Sequence, residues 1–166
     1  MNRLPLPLLV ATATLALAAC AKKPPADLPP PPMDTAPPPA APAGPTPGSQ
    51  ADFVASITSD TIRFDTDKSD IDAQDQQVLQ SQAQWLAKYP TKRITIEGHC
   101  DERGTREYNL ALGERRANAA KNYLASLGVD PSRMSTMSYG KERPVAMGSD
   151  EQAWAQNRRA VTVTVE

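Results

Sequence analysis

The densest cluster of side chains able to do chemistry is Gly98-His99-Cys100-Asp101-Glu102-Arg103-Gly104-Thr105, followed by Arg106-Glu107-Tyr108-Asn109 and Arg115-Arg116-Ala117-Asn118. It contains the single histidine of the chain and one of its two cysteines. A nucleophilic Cys-His dyad needs the imidazole to face the sulfur. Neighbours on an extended chain point to opposite sides, so His99 and Cys100 are poorly placed to pair. A structural zinc site wants four Cys or His ligands, and a catalytic one would have to recruit carboxylates with no second histidine. Asp65-Thr66-Asp67-Lys68-Ser69-Asp70 begins like a calcium loop, yet Asp70 stands where that loop needs Gly and Gln76 where it needs Glu. A turn-forming acidic loop is the simpler reading. Asp101 and Glu102 are adjacent and therefore poorly disposed to flank a bond as an acid–base pair. No enzyme activity, metal or cofactor is expected.

Binding chemistry is better served. Asp101 follows a strand and Arg116 lies on the helix after it, so the two can face one cleft with opposite charges. A zwitterionic ligand suits that geometry, because the carboxylate takes an ammonium while the guanidinium takes a carboxylate bidentately. An internal Asp101–Arg116 salt bridge that fixes the loop is an equally good reading of the same residues.

The elements that must position these groups lie between about residue 51 and residue 166. Thr61-Ile62-Arg63-Phe64 alternates as a short strand. Asp72 can cap a helix whose apolar residues Val78, Leu79, Ala83, Trp85 and Leu86 recur at helical spacing until Tyr89-Pro90. Arg93 to Glu97 alternates as a second strand that stops at Gly98, and His99 to Glu107 reads as a polar loop. A long helix is predicted from Arg106 to Leu127, with Leu112, Ala119, Ala120, Tyr123, Leu124 and Leu127 on one face and Gly128 as its stop. Met134 to Tyr139 is a third strand, and Ser149-Asp150-Glu151-Gln152 is a capping box opening a short helix. Val161, Val163 and Val165 alternate with Thr and Glu in a closing strand. Strands of alternating polarity interleaved with helices predict an α+β two-layer sandwich: a mixed sheet of about four strands with helices on one face.

Composition divides the 166 residues into different polymers, since 12 of the 17 prolines lie between Pro24 and Pro47. Residues 21–50 lack the apolar side chains needed to offset ordering entropy. Runs such as Pro29-Pro30-Pro31-Pro32 favour polyproline II, a semi-rigid spacer reaching at most about 90 Å at ~3.1 Å per residue. With 18 Lys+Arg against 19 Asp+Glu the chain lacks the basic excess of a nucleic-acid binder. Arg3, the apolar run Leu4 to Leu17 and the small residues after it form an export signal in residues 1–19. The run is shorter than the roughly 20 apolar residues that span a bilayer. Leu17-Ala18-Ala19-Cys20 resembles the bacterial lipoprotein box. That resemblance implies cleavage after Ala19 and acylation of Cys20; ordinary cleavage leaving a free Cys20 is the alternative. One acyl chain holds a protein reversibly, while two or more anchor it stably.

The cluster at residues 98–109, with Ala111-Leu112-Gly113 and Arg115-Arg116-Ala117, resembles the OmpA-like C-terminal domain family and, within it, the peptidoglycan-associated lipoproteins. Phe64-Asp65, Ser138-Tyr139-Gly140-Lys141-Glu142-Arg143-Pro144 and Asn157-Arg158-Arg159 extend the resemblance over residues 53–166. It implies non-covalent binding of peptidoglycan through the meso-diaminopimelate of its stem peptide. Asp101 and Arg116 would be the principal ligands of the amine and carboxylate. Phe64, Asp65 and Thr66 would form the facing rim, Arg103 and Leu112 would contribute, and Asn109 would brace the loop. The resemblance further implies a lipid-anchored place on the periplasmic face of the outer membrane. It also implies TolB and the other Tol proteins as partners, and a role in outer-membrane constriction at cell division. Another OmpA-like wall anchor, such as a porin tail or a stator protein, is the nearest alternative.

Overall fold

The computed structural model describes residues 44–165. The signal segment, Cys20 and most of the proline-rich stretch lie outside the described residues. The elements run α1 (Gln50–Ser56), β1 (Thr61–Arg63), α2 (Ala73–Lys88), β2 (Arg93–His99), α3 (Arg106–Ser126), a 3-10 turn at Pro131–Arg133, β3 (Met134–Gly140), α4 (Glu151–Asn157) and β4 (Arg159–Val165). The four strands form one sheet in the order β1-β4-β2-β3. β2 and β3 are parallel, while β4 runs antiparallel to both β1 and β2. The fold is therefore α+β with a mixed sheet. A single core lies between the sheet and α2 and α3, built on Ile62, Leu79, Leu86, Ile94, Ile96 and Leu124.

Side-chain caps set the helix starts. Asp72 accepts from Asp75 N at 2.8 Å to open α2, and Thr105 accepts from Tyr108 N at 3.2 Å to open α3. For α4 the cap is Asp150, which accepts from Ala153 N at 2.8 Å, one residue beyond the expected Ser149. The α3 face that meets the sheet comprises Leu112, Gly113, Arg116, Ala117, Ala120 and Leu124. Leu127, expected on that face, is exposed at the helix end, and Val129 fills the core beyond it. Helix α1 has no counterpart in the sequence-based expectation.

The closing strand departs furthest from its pattern. Ala160, Thr162 and Thr164 are buried, whereas Val161 and Val163 sit half-buried and Val165 is 44% exposed. The threonines can face inward because each hydroxyl finds a partner: Thr162 Oγ1 bonds Gln82 Oε1 at 2.8 Å and Thr164 Oγ1 bonds Gln50 Oε1 at 2.9 Å. Buried polar groups with partners cost little, so hydrogen bonding overrides the apolar alternation.

One close approach positions the later chemistry. A Cβ added to Gly98 would lie 1.8 Å from the carbonyl oxygen of Gly113, so α3 rests directly on β2 at that point. Arg116 is one turn beyond Gly113 on the same helix face, and this contact carries it to the end of β2. Gly98→Ala should cost about 3 kcal/mol or more, the upper end for overpacking into rigid backbone. Urea unfolding of the variant measures this, and a loss under 1 kcal/mol would contradict the contact.

Candidate functional site

The site forms where β2 and β4 end and begin on one side of the sheet. The β1–α2 loop, the β2–α3 loop, the first turns of α3 and the α4–β4 junction converge there. The first three line a cavity of about 260 Å³ whose lining includes Thr66, Asp67, Asp101, Arg103, Leu112 and Arg116, and the α4–β4 junction backs it through Arg158.

Arg116 is completely buried. Its Nε donates to the carbonyl of Lys68 at 2.8 Å, Nη1 to that of His99 at 2.9 Å and Nη2 to that of Asp65 at 3.0 Å. One guanidinium thus ties the β1–α2 loop to the end of β2. The Phe64 ring lies 5.2 Å from its centre. Among the described residues no carboxylate forms a salt bridge with Arg116. Burial pushes its pKa below the ordinary arginine value, a range high enough to keep the group charged. Three of the five N–H donors of an arginine are spent on carbonyls, so charge and donors remain for a ligand.

Asp101 is buried, lines the same cavity and is satisfied by other arginines. Arg103 Nε donates to Oδ1 at 3.1 Å and Arg103 Nη2 to Oδ2 at 2.6 Å, with Arg158 Nη1 3.5 Å from Oδ2. Burial would raise the carboxyl pKa, but the hydrogen bonds from Arg103 and the charge of Arg158 outweigh it and hold it below the ordinary value. The internal Asp101–Arg116 salt bridge, open on the sequence, is therefore not formed. Arg103 is itself 39% exposed, stacks 4.1 Å from the Trp154 ring and reaches Thr66 Oγ1 at 3.3 Å.

Asn109 is buried and donates through Nδ2 to the carbonyls of Arg103 at 2.7 Å and Thr105 at 2.9 Å, which braces the loop. Of the residues expected at the site, Thr66, Asp101, Arg103, Asn109, Leu112 and Arg116 line this cavity. Phe64 and Asp65 do not; they line an adjoining cavity of about 390 Å³. The Asp65 side chain is 77% exposed and pairs with Lys68 at 3.1 Å.

His99 and Cys100 diverge, as extended chain requires. The imidazole stacks on Tyr139 on the outer sheet face, with centroids 5.5 Å apart. The thiol turns to the cavity and donates to the carbonyl of Asn109 at 3.3 Å. Burial pushes the Cys100 thiol up, away from nucleophilic range. Among the described residues no group of three His, Cys, Asp or Glu could hold a metal ion.

Three further residues belong to the site. Tyr108 lines the cavity and its hydroxyl donates to Asp67 Oδ1 at 3.2 Å, while Asp67 adopts a left-handed φ of 57°. Arg158 backs Asp101, donates to the carbonyl of Phe64 at 3.0 Å and pairs with Glu151 at 2.7 Å. The signal for Tyr108 was present in the spacing, since Tyr108, Leu112 and Arg116 recur every four residues on one helix face.

A sheet of this order with an Asp-bearing loop and an internal arginine defines a family: the chain belongs to the OmpA family, whose model matches residues 63–158. Its relatives include the peptidoglycan-associated lipoprotein of Agrobacterium fabrum (strain C58), 56% identical over 152 residues, which are 92% of this chain and 83% of that protein. The peptidoglycan-associated lipoprotein of Pseudomonas aeruginosa is 50% identical over 117 residues, or 70% of this chain and 69% of that one. Among solved structures, the peptidoglycan-associated lipoprotein from Burkholderia pseudomallei superposes with a TM-score of 0.65 at 46% identity, covering 69% of this chain and all of the other. The C-terminal domain of Helicobacter pylori MotB shares the fold at 22% identity, with a TM-score of 0.60 over 64% of this chain and 84% of that one.

Proposed function

We propose that this chain is a non-catalytic wall anchor that grips peptidoglycan through the diaminopimelate of its stem peptide. The observation that carries the reading is a buried cation with no carboxylate of its own facing the same cavity as a buried carboxylate. Diaminopimelate has an ammonium and a carboxylate on one carbon, and each fits one wall. The carboxylate takes the remaining donors of Arg116, while the ammonium takes Asp101. Arg103 is the movable partner, since its exposed side chain can leave Asp101 for solvent while Arg158 stays fixed behind. Leu112 packs against the aliphatic part of the ligand, Thr66 closes the near rim, and Phe64 and Asp65 support it from behind.

The same reading makes Cys20 the lipidated residue and residues 21–50 the spacer between the outer membrane and the wall. It gives the chain TolB and the other Tol proteins as partners, on the resemblance to peptidoglycan-associated lipoproteins.

Sedimentation with diaminopimelate-containing sacculi tests the site. The protein should pellet with them, and Asp101→Asn should leave at least about 90% of it in the supernatant, a loss of ~1.4 kcal/mol or more. Equal pelleting of the variant would refute the assignment. Cys20→Ser should accumulate as an unprocessed, larger precursor on a gel.

A further inference from the structure

Helix α1 is the first element of the described residues, and side-chain contacts fasten it to the rest of the fold. Gln50 Oε1 accepts from Thr164 N at 2.7 Å and from Thr164 Oγ1 at 2.9 Å. Asp52 Oδ2 accepts from Gly48 N at 2.9 Å and from Trp85 Nε1 at 3.0 Å. Phe53 is fully buried and meets Trp85 edge-on at 4.9 Å. A helix of 7 residues is below the roughly 12–15 that are marginal alone in water, so these contacts hold it.

Their location matters. Thr164 pairs with Ile94 and Val165 with Arg93, at the start of β2, whereas the cleft opens beyond His99 at its end. The six steps along β2 put about 20 Å between fastening and cleft. A pull between them has two routes. With α1 docked, it enters the far end of β4 through Gln50 and leaves by the cleft end of β2. These strands are antiparallel neighbours paired from Arg93↔Val165 to Gly98↔Ala160, so the ladder is loaded in shear and its bonds resist together. With α1 released, the pull follows residues 57–60 into β1, whose three residues pair, among the described residues, only with β4. From there it reaches Phe64–Lys68 directly, where the carbonyls of Asp65 and Lys68 hold Arg116.

We propose that α1 is a strain-relief clamp: it diverts tension arriving from the N-terminal segment into the β4–β2 ladder and keeps it off the cleft rim. The source of tension rests on the wall-anchor reading; the clamp itself is testable without it.

Single-molecule pulling of the full chain, between its N-terminus and a handle introduced by Glu102→Cys in a Cys20→Ser background, needs no wall. The otherwise unchanged protein should open without an early step. Gln50→Ala/Asp52→Ala should add a low-force step releasing up to about 60 Å, at ~3.4 Å per residue for residues 44–60. The milder Gln50→Ala should place that step at intermediate force. A second arm pulls the chain off immobilised sacculi. The double variant should pellet with sacculi as well as its parent at rest, yet detach at lower force. Identical traces for variant and parent would overturn the clamp. Failure of the parent to pellet would sink the wall reading, while the traces would still decide the clamp.

Discussion

Arg116→Ala should lower stability by about 3–5 kcal/mol and abolish sacculus binding, the scale of truncating a large buried side chain that also carries charged hydrogen bonds. Three backbone carbonyls, those of Asp65, Lys68 and His99, lose their donor at once. A hydrogen bond to a charged group contributes about 1.5–3 kcal/mol, and the truncated side chain leaves a cavity besides. Relief of the desolvation that depresses the Arg116 pKa recovers only part of that loss. Arg116→Lys should not rescue it, because one ammonium cannot reproduce a planar fork aimed at three carbonyls. Asp101→Asn should behave differently, losing binding with a stability change of about 1 kcal/mol, since Arg103 can turn to water. Urea unfolding of the three variants beside sedimentation separates these outcomes. A stable Arg116→Ala protein would show that the carbonyl network does not hold the loop.

The second large effect is acid sensitivity centred on His99. The ring is buried, and neither nitrogen has a hydrogen-bond partner. Tyr139 stacks on it, and the Arg143 guanidinium lies 3.8 Å from the centroid of the Tyr139 ring. Burial, then the charges of Arg159 and Arg143, lower its pKa from 6.5 to about 4. Glu97 Oε2 stands 3.7 Å from Nε2, too far for a hydrogen bond, and does not reverse this. A histidine depressed in the folded state binds its proton more readily when unfolded. Its contribution is therefore complete above pH 6.5 and is lost as pH falls toward 4. At 1.36 kcal/mol per pKa unit, the loss is on the order of 3 kcal/mol. His99→Phe keeps the stack and removes the proton. Its stability should fall less than that of the unsubstituted protein between pH 7 and pH 4 by about that amount. Parallel pH profiles of the two would refute the account.

Seven of the elements were legible as elements, six of them because their periodicity agrees with their packing, with Asp72 and Gly128 marking helix ends. Helix α1 was not, because Phe53 is its only buried residue and two polar side chains, Gln50 and Asp52, do the rest. The facing of β4 was misleading on pattern alone: no local signal says that Gln82 and Gln50, from distant parts of the chain, wait for Thr162 and Thr164. At the site, residue types suggested that Asp101 and Arg116 share a cleft. What those types could not say was which arginine answers Asp101. Arg103 and Arg158 were both available, and the choice depends on where the α4–β4 junction lands. For the same reason Phe64 and Asp65, adjacent in sequence to Thr66, fall beside the cavity and not in it.

The strand order also makes the cleft depend on the closing strand. Among the described residues β1 has no neighbour except β4, and Arg158, immediately before β4, donates to the carbonyl of Phe64 across 94 positions of sequence. Without β4 between β1 and β2, the β1–α2 loop would keep only its side-chain ties to α3 and the β2–α3 loop, and Asp101 would lack its rear arginine. Some forty residues separate Arg116 from β4, so the groups proposed to bind ligand and the strand that completes their setting lie far apart in sequence. The complete setting of the cleft therefore depends on the closing strand, which joins the two sides of the sheet that carry it.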